Sequence, residues 1–593
     1  MPLSFLNRML AERDIPSLME TALGHIPADL AIVNAQLVNV YSGEILSDTA
    51  VAVKNGWIAA TGHLAPGTIG PETRIIDATG QTLIPGFIEG HTHLATLMTP
   101  DYFIPHAVRH GTTTIITETM ETYPVAGLEG VMDFLASIRH QPITMLATAP
   151  ALASISPAGS RMSLDDLCTV LDHEAVIGLG ESYWQAVLKE PSLYLDRFRE
   201  TLLRDQVLEG HSAGAGGAKL MAYAATGVSS CHEAISAKDA LERLRLGMAV
   251  MIREGSIRRE LAAISAIAEQ SVSCRRLLLV TDGVNPLHLL QDGYLDAVVQ
   301  KAIDFGFSPV DAIRMATLHV AEHFQIDAVV GGIAPGRQAD MVLIPAPDCI
   351  RPTCVIARGK LLWEEGRDLP QVQRHSFSES SRSTIRLGDA PIDAGRFRIE
   401  ASAAVSQVDV RIMDLITELV TKEAHLTMPV VEGLVCSDPT QDILKVAAID
   451  RRYSPGKTAV GFIRGFGLRS GAFATSAAWD TTDIVVVGAT DADMAACVQR
   501  IQQLQGGFVV CNEGKVLAEL ALPVMGLMAQ EPAEIIREKM EAVTAAVHAL
   551  GSKLSDPMLT LTTLTTAAIP YLRICEEGLF DLKSGQFREV FLS

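Results

Sequence analysis

Six side chains in this 593-residue sequence combine a metal-ligating type with a place at the end of a strand-like run: His91, His93, Glu181, His211, His232 and Asp282. His91 and His93 stand in "IPGFIEGHTHLATLMTP" with only Thr92 between them. Alternate side chains of a strand point the same way, so the pair shares one face about 7 Å apart along the backbone. Glu181 stands in "VIGLGES" and Asp282 in "LLLVTDG", each after an apolar strand-like run and before a small residue. His211 in "LEGHSAG" and His232 in "SSCHEA" add two more imidazoles. Imidazole and carboxylate together suit divalent Zn, Mn or Fe, and a shared carboxylate such as Glu181 can bridge two ions. Bridged ions supply hydroxide from water at neutral pH. Asp282, at the metal's edge, would take the proton as the hydroxide attacks and hand it to the leaving group.

Each residue alone has an ordinary structural reading. A carboxylate after a buried strand is commonly the N-cap of the next helix, and a histidine at a strand end commonly caps or hydrogen-bonds. His106, His110, His319 and His323 fit that description, because they fall in helical stretches without evident partners. Glu118, Met120 and Glu121 follow the strand-like "HGTTTIIT" as candidate substrate contacts, and the two glutamates read equally well as solvent-facing loop charges. Arg253, beside Glu254, would hold a polar or anionic substituent of a substrate or form an internal salt bridge. The joint occurrence of four histidines and two carboxylates on five successive strand ends favours the metal site.

The elements that must position these residues alternate between strand and helix. From 84 to 330, apolar β-type runs pass repeatedly into helical ones. Ser236 caps "AKDALERLRLG" with Asp239 three residues on, and Ser308-Pro309 opens "VDAIRMATLHVAEHF" with Asp311 completing a capping box. Such alternation over about 240 residues predicts a (β/α)8 barrel, whose polar strand ends converge on one face. Residues 29–83 and 331–375 are rich in short strands and predict one composite β-sandwich flanking the barrel. Residues 1–28 read as an N-terminal helical segment, 376–395 as a linker, and 396–593 as a separate α/β C-terminal domain. The fold class expected is therefore α/β.

Composition narrows the partners. The chain is 48% hydrophobic and 20% charged, as globular proteins are, and its net charge of -21 lacks the clustered Lys and Arg that nucleic-acid phosphates require. Nine scattered cysteines with no CxxC pair suit a reducing cytoplasm. The N-terminus has no signal-peptide pattern, and no run of about 18 apolar residues suggests a membrane span. A small-molecule partner is expected, with a homo-oligomer as the assembly.

"PGFIEGHTH" resembles the signature of the amidohydrolase superfamily. In order, "GLGES", "GHSAGAGGAKLMAYAATGVSSCHE", "LRLGMAVMIREGS" and "NPLHLLQDGYLD" are similar to bacterial-type adenine deaminases, and so are "GFIRGFGLRSGAFATS", "LPVMGLM" and "GLFDL" further on. The resemblance spans nearly everything after residue 29. It implies two divalent ions per chain (Mn, Fe or Zn) bridged by Glu181, with His91, His93 and Asp282 on one and His211 and His232 on the other. Asp282 would be the proton shuttle.

The chain departs from that family's usual pattern at several histidines and aspartates. Asp-Pro-His-Glu becomes Glu118-Thr119-Met120-Glu121, and Ser-Asp-His-Glu becomes Ser230-Cys231-His232-Glu233. Gly283, Asn285 and Tyr294 replace an aspartate and two histidines, and Arg452, Tyr453, Trp479 and Thr482 replace four histidines of the C-terminal region. The proposed ligands are all kept. Retained chemistry in an altered pocket follows, either through loss of an auxiliary polar or metal site or through replacement of supporting histidines with the substrate unchanged. The leading expectation is adenine plus water giving hypoxanthine and ammonia. The alternatives are the same chemistry on a hydantoin, thiohydantoin, imidazolone or other aminoheterocycle, and a non-catalytic scaffold relative.

Overall fold

A computed structural model describes residues 5–157, 159, 162–270 and 272–592. Residues 1–4 of the expected N-terminal helical segment lie outside that range; the rest of it carries two short helices, Phe5–Ala11 and Ile15–Ala22. Among the described residues no helix is long and apolar enough to cross a membrane.

Eight parallel strands hold the candidate residues. Five form one sheet in the order Val207–His211, Val176–Tyr183, Thr144–Ala149, Thr112–Thr117, Phe87–Thr92, and three form another, Ser230–Cys231, Ala249–Arg253, Leu277–Val280. Backbone hydrogen bonds stitch the two sheets at both seams, Asp282 N to His91 O at 3.0 Å and Ser229 N to Leu208 O at 2.9 Å. Helices alternate with the strands, as a parallel sheet requires. The strands are buried on both faces, which is why they read as near-continuous apolar runs. The predicted caps form: the side chains of Ser236 and Ser308 accept from Asp239 N and Asp311 N. The stretch 309–323 is not one helix, however. Thr317 leaves helical geometry and splits it into Pro309–Met315 and Leu318–His323.

Two distant pieces of chain build the sheet that abuts the barrel. Strands between Leu30 and Pro85 join Met341–Ile344, Cys354–Ala357 and Lys360–Glu364 in eight strands, with Thr82–Pro85 antiparallel to Met341–Ile344. Gly86 hands the chain from this sheet into the first barrel strand. A Cβ there would lie 2.2 Å from Thr113 Oγ1, so only glycine allows the approach.

The C-terminal part centres on a second eight-stranded sheet, with the helix Asp491–Leu504 against it and Ala533–Ala549 beside its edge strand Lys515–Ala521. The stretch expected as a linker is a packed strap. Phe377, Ile385, Leu387 and Ile392 are buried, and Asp133 of the barrel accepts bonds from Ser378 N at 2.9 Å and Ser378 Oγ at 2.8 Å. Across the same seam Leu97–Met98 pairs in parallel with Met528–Ala529. The apolar "MLTLTTLTTAAIPYL" folds inward, burying Leu561 and Leu564.

Candidate active site

The six predicted residues meet at one end of the barrel strands. His91 is the penultimate residue of its strand and His93 follows it; their rings lie 5.2 Å apart, edge to face. Glu181 stands within Val176–Tyr183, His211 ends its strand, and His232 and Asp282 come just after theirs. Asp282 has a left-handed backbone (φ 55°), a conformation aspartate tolerates better than most residues, and this turns its carboxylate across the barrel. Its Oδ1 lies 3.2 Å from His91 Nε2 and 3.1 Å from His93 Nε2.

Glu181 divides its two oxygens. Oε1 lies 3.2 Å from His93 Nε2, while Oε2 lies 3.3 Å from His232 Nε2 and 3.8 Å from His211 Nε2. Three overlapping groups bring their ligand atoms within 4.8 Å of one another: His91, His93 and Asp282; His91, Glu181 and His232; His211, His232 and Glu233. His91 Nε2 has no hydrogen-bond partner despite its burial. Buried polar atoms normally have one. This all-nitrogen-and-oxygen donor set can hold a divalent cation of the Zn, Mn or Fe type.

Electrostatics follow from that crowding. Burial works against charge on Asp282, but the adjacent His91 and His93 rings and the positive Arg253 hold it well below the usual carboxylate range. Burial opposes Glu181 likewise, and His232 and His93 outweigh it to hold this carboxyl low. Desolvation lowers His91 and His211, yet Asp282 and Glu233 respectively carry each of them up to about 9. The negative field that holds protons on these rings is the field a bound cation would use, so filling the site releases protons.

The four candidate substrate contacts separate. Met120, Glu121 and Arg253 line a cavity of about 220 Å³ together with His93, Glu181, His211, His232 and Asp282. Glu118 does not line it. It is buried 3.6 Å from His91 Nδ1, neither of its oxygens has a hydrogen-bond partner, and burial pushes it up to about 8. A side chain at position 180 would occupy its place, since a Cβ on Gly180 would lie 2.0 Å from Glu118 Oε2. Glu121 Oε1 meets His93 Nδ1, the nitrogen turned away from Asp282. Arg253 is enclosed by carboxylates, with NH1 3.0 Å from Asp282 Oδ2 and also on Glu233 Oε1, and NH2 3.0 Å from Glu260 Oε1. Its neighbour Glu254 pairs with Lys301 instead, at 3.1 Å.

Two further glutamates, Glu233 and Glu89, belong to the site. Glu233 Oε1 lies 3.3 Å from His211 Nε2 and 3.6 Å from His232 Nε2. Its adjacency to His232 was the available signal. Glu89, two residues before His91 and so on the same strand face, accepts from His91 N at 3.1 Å and Thr281 N at 3.2 Å, tying the strands of His91 and Asp282 together. Burial pushes it up to about 7. Of the histidines expected to be structural, His110 meets Asp296 at 2.8 Å and His323 meets Glu209 at 2.7 Å, so both have partners that local sequence did not show.

The departures from the family pattern scatter as well. Met120, Gly283, Asn285 and Trp479 line the cavity, and Tyr453 does not: it is partly exposed with Arg452 over its ring. Arg452 NH1 donates to Val125 O at 2.8 Å, Thr482 Oγ1 to Asp450 Oδ1 at 2.6 Å, and Cys231 Sγ lies 2.8 Å from Ser212 Oγ. Tyr294 is buried against Phe103.

A parallel barrel with this histidine and carboxylate cluster defines an amidohydrolase, and residues 196–362 match the amidohydrolase family. Residues 418–586 match the adenine deaminase C-terminal domain. The chain is 36% identical to the adenine deaminase of Moorella thermoacetica and 34% identical to that of Clostridium botulinum, over 97% of this chain and of each relative. It is 35% identical to adenine deaminase 3 of Rhizobium meliloti, over 97% of this chain and 98% of that protein. The chain belongs to the adenine deaminase family.

Proposed function

We propose that this chain hydrolyses adenine to hypoxanthine and ammonia, using two divalent cations of the Mn, Fe or Zn type. The observation that carries the reading is the Glu181 carboxylate, which sends one oxygen to His93 and the other to His232 and His211 in a chain that matches adenine deaminases over 97% of its residues. His91, His93 and Asp282 would hold one cation, His211 and His232 the other, and Glu181 both. Bound there, the cations supply hydroxide at neutral pH.

The rest falls to the chain's own side chains. An oxygen from water bonds to C6 of adenine and the C6–N6 bond breaks; Asp282 carries one of the water's protons to the departing nitrogen, which leaves as ammonia, and the other ends on N1 of hypoxanthine. Arg253 on Oδ2 orients Asp282 so that Oδ1 faces the histidines. The cavity of about 220 Å³ falls below the roughly 300–1,000 Å³ of drug-sized sites, which suits a single small heterocycle. All nine cysteines are free, which supports a cytoplasmic setting.

The test loads the purified protein with Mn, adds adenine, and follows ammonia release and the purine spectrum. Metal-dependent turnover that disappears in Asp282→Asn is expected. No turnover, with cations bound, would overturn adenine as substrate and turn attention to other aminoheterocycles.

A further inference from the structure

The cavity wall that completes the site comes from the C-terminal region, through Leu419, Trp479, Asp480, Met558, Thr562 and Ile569 among others. Two carboxylates belong to that wall. Asp556 caps the helix Pro557–Thr562, its Oδ1 accepting from Leu559 N at 2.9 Å. Asp480 is different, because only one of its oxygens is committed. Oδ2 accepts from Thr566 Oγ1 at 2.5 Å and Ala567 N at 2.9 Å, whereas Oδ1 has only the Tyr183 hydroxyl at 3.4 Å, near the limit of a hydrogen bond.

The posture of Asp480 is enforced. Its backbone is left-handed (φ 62°), and the segment is strapped by Trp479 N to Thr562 O at 3.2 Å and Thr565 Oγ1 to Trp479 O at 2.6 Å. Tyr183 relates this carboxylate to the catalytic cluster. Its ring lies against His211 with centroids 4.3 Å apart, and its hydroxyl reaches Asp480. Asp480 therefore stands one tyrosine side chain from the histidines, a span of the same order as the width of a purine. A free purine whose C6 faces Asp282 and Glu181 carries its N9–H on the far side of the bicycle. In an otherwise largely apolar wall, the weakly bonded Oδ1 of Asp480 is the acceptor placed to receive it.

We propose that Asp480 is a specificity residue that accepts the N9–H of a free purine base through Oδ1 and so selects the base over N9-substituted purines. This rests on the reading of the site as a purine deaminase. Burial pushes the carboxyl up to about 6, which leaves it ionised, and an acceptor, at neutral pH. An N9 substituent would remove the hydrogen and press a carbon against the carboxylate, leaving a desolvated charge unpaired. Sites built to bond a substrate N–H reject analogues that lack it far more strongly than apolar pockets reject an extra methyl group.

The experiment compares adenine with 9-methyladenine on the metal-loaded enzyme, its Asp480→Asn variant and Asp480→Ser as a second variant, with circular dichroism and metal content confirming intact protein. Steady-state rates are paired with calorimetric Kd values for both bases. In Asp480→Asn, kcat/KM for adenine should fall about 10- to 100-fold, mainly through KM, while 9-methyladenine changes by less than about threefold, so the preference collapses. Equal losses on both bases, or none, in either folded variant would overturn the proposal. Failure of the wild type to turn over adenine would instead sink the deaminase reading. The Kd ratio would still decide on Asp480, and absence of adenine binding would overturn it too.

Discussion

Arg253 NH1 sits 3.0 Å from Asp282 Oδ2, on the side of the carboxylate away from His91 and His93. One guanidinium thereby fixes the rotation of the proposed proton carrier and offsets the charge of Glu233 and Glu260 as well.

Replacing Arg253 with Met should therefore leave three carboxylates facing one another. Removing one partner of a buried ion pair costs about 3–5 kcal/mol, so a drop in the denaturation midpoint is expected, along with at least a tenfold loss of kcat. Denaturant unfolding and steady-state rates check this together. A variant as stable and active as the wild type would show that Arg253 is a bystander.

Glu181 is the side chain that reaches both histidine pairs. Its conversion to Gln should cut bound Mn, measured by elemental analysis after dialysis, to less than half of the wild-type content. Glu118→Gln, whose carboxyl lies behind His91 and outside the cavity, should keep most of the metal. Equal metal in the wild type and the Glu181 variant would remove Glu181 from the ligand set.

Glu121 contacts the second ring nitrogen of His93. Carboxylates so placed orient a ligating histidine, and their loss typically weakens metal affinity about 10- to 100-fold. Titrating Glu121→Gln with Mn against a competing chelator reads that change directly. An unaltered affinity would assign Glu121 to the cavity wall alone.

Asp340 provides a pH test remote from the site. It is buried, its Oδ1 accepts from Arg358 N at 2.7 Å, and its Oδ2 has no hydrogen-bond partner. Burial pushes its pKa up from 3.8 to about 6. Below pH 3.8 the group is protonated folded and unfolded alike, and its favourable contribution is fully present. As pH rises toward 6 the unfolded chain ionises first and that stability drains away, on the order of 3 kcal/mol in all. Asp340→Asn should accordingly unfold at higher denaturant than the wild type at pH 8, with the gap closing on acidification. A gap constant from pH 4 to 8 would disprove the assignment.

Local chemistry was legible in the sequence. The caps at Ser236 and Ser308 and the His91-x-His93 pair depend on neighbours within a few residues, which sequence lists directly. The six predicted ligands were findable because they stand at or near the ends of five strands, and a parallel barrel delivers strand ends to one place. Tertiary structure alone decided the rest. It placed Glu233 against two histidines and Glu118 behind one, turned 376–395 from a linker into a packed strap, and brought Asp480 across some three hundred residues to Tyr183. The physical reason is that these contacts join elements far apart in the chain. Packing sets their distances, and no periodicity or spacing encodes it.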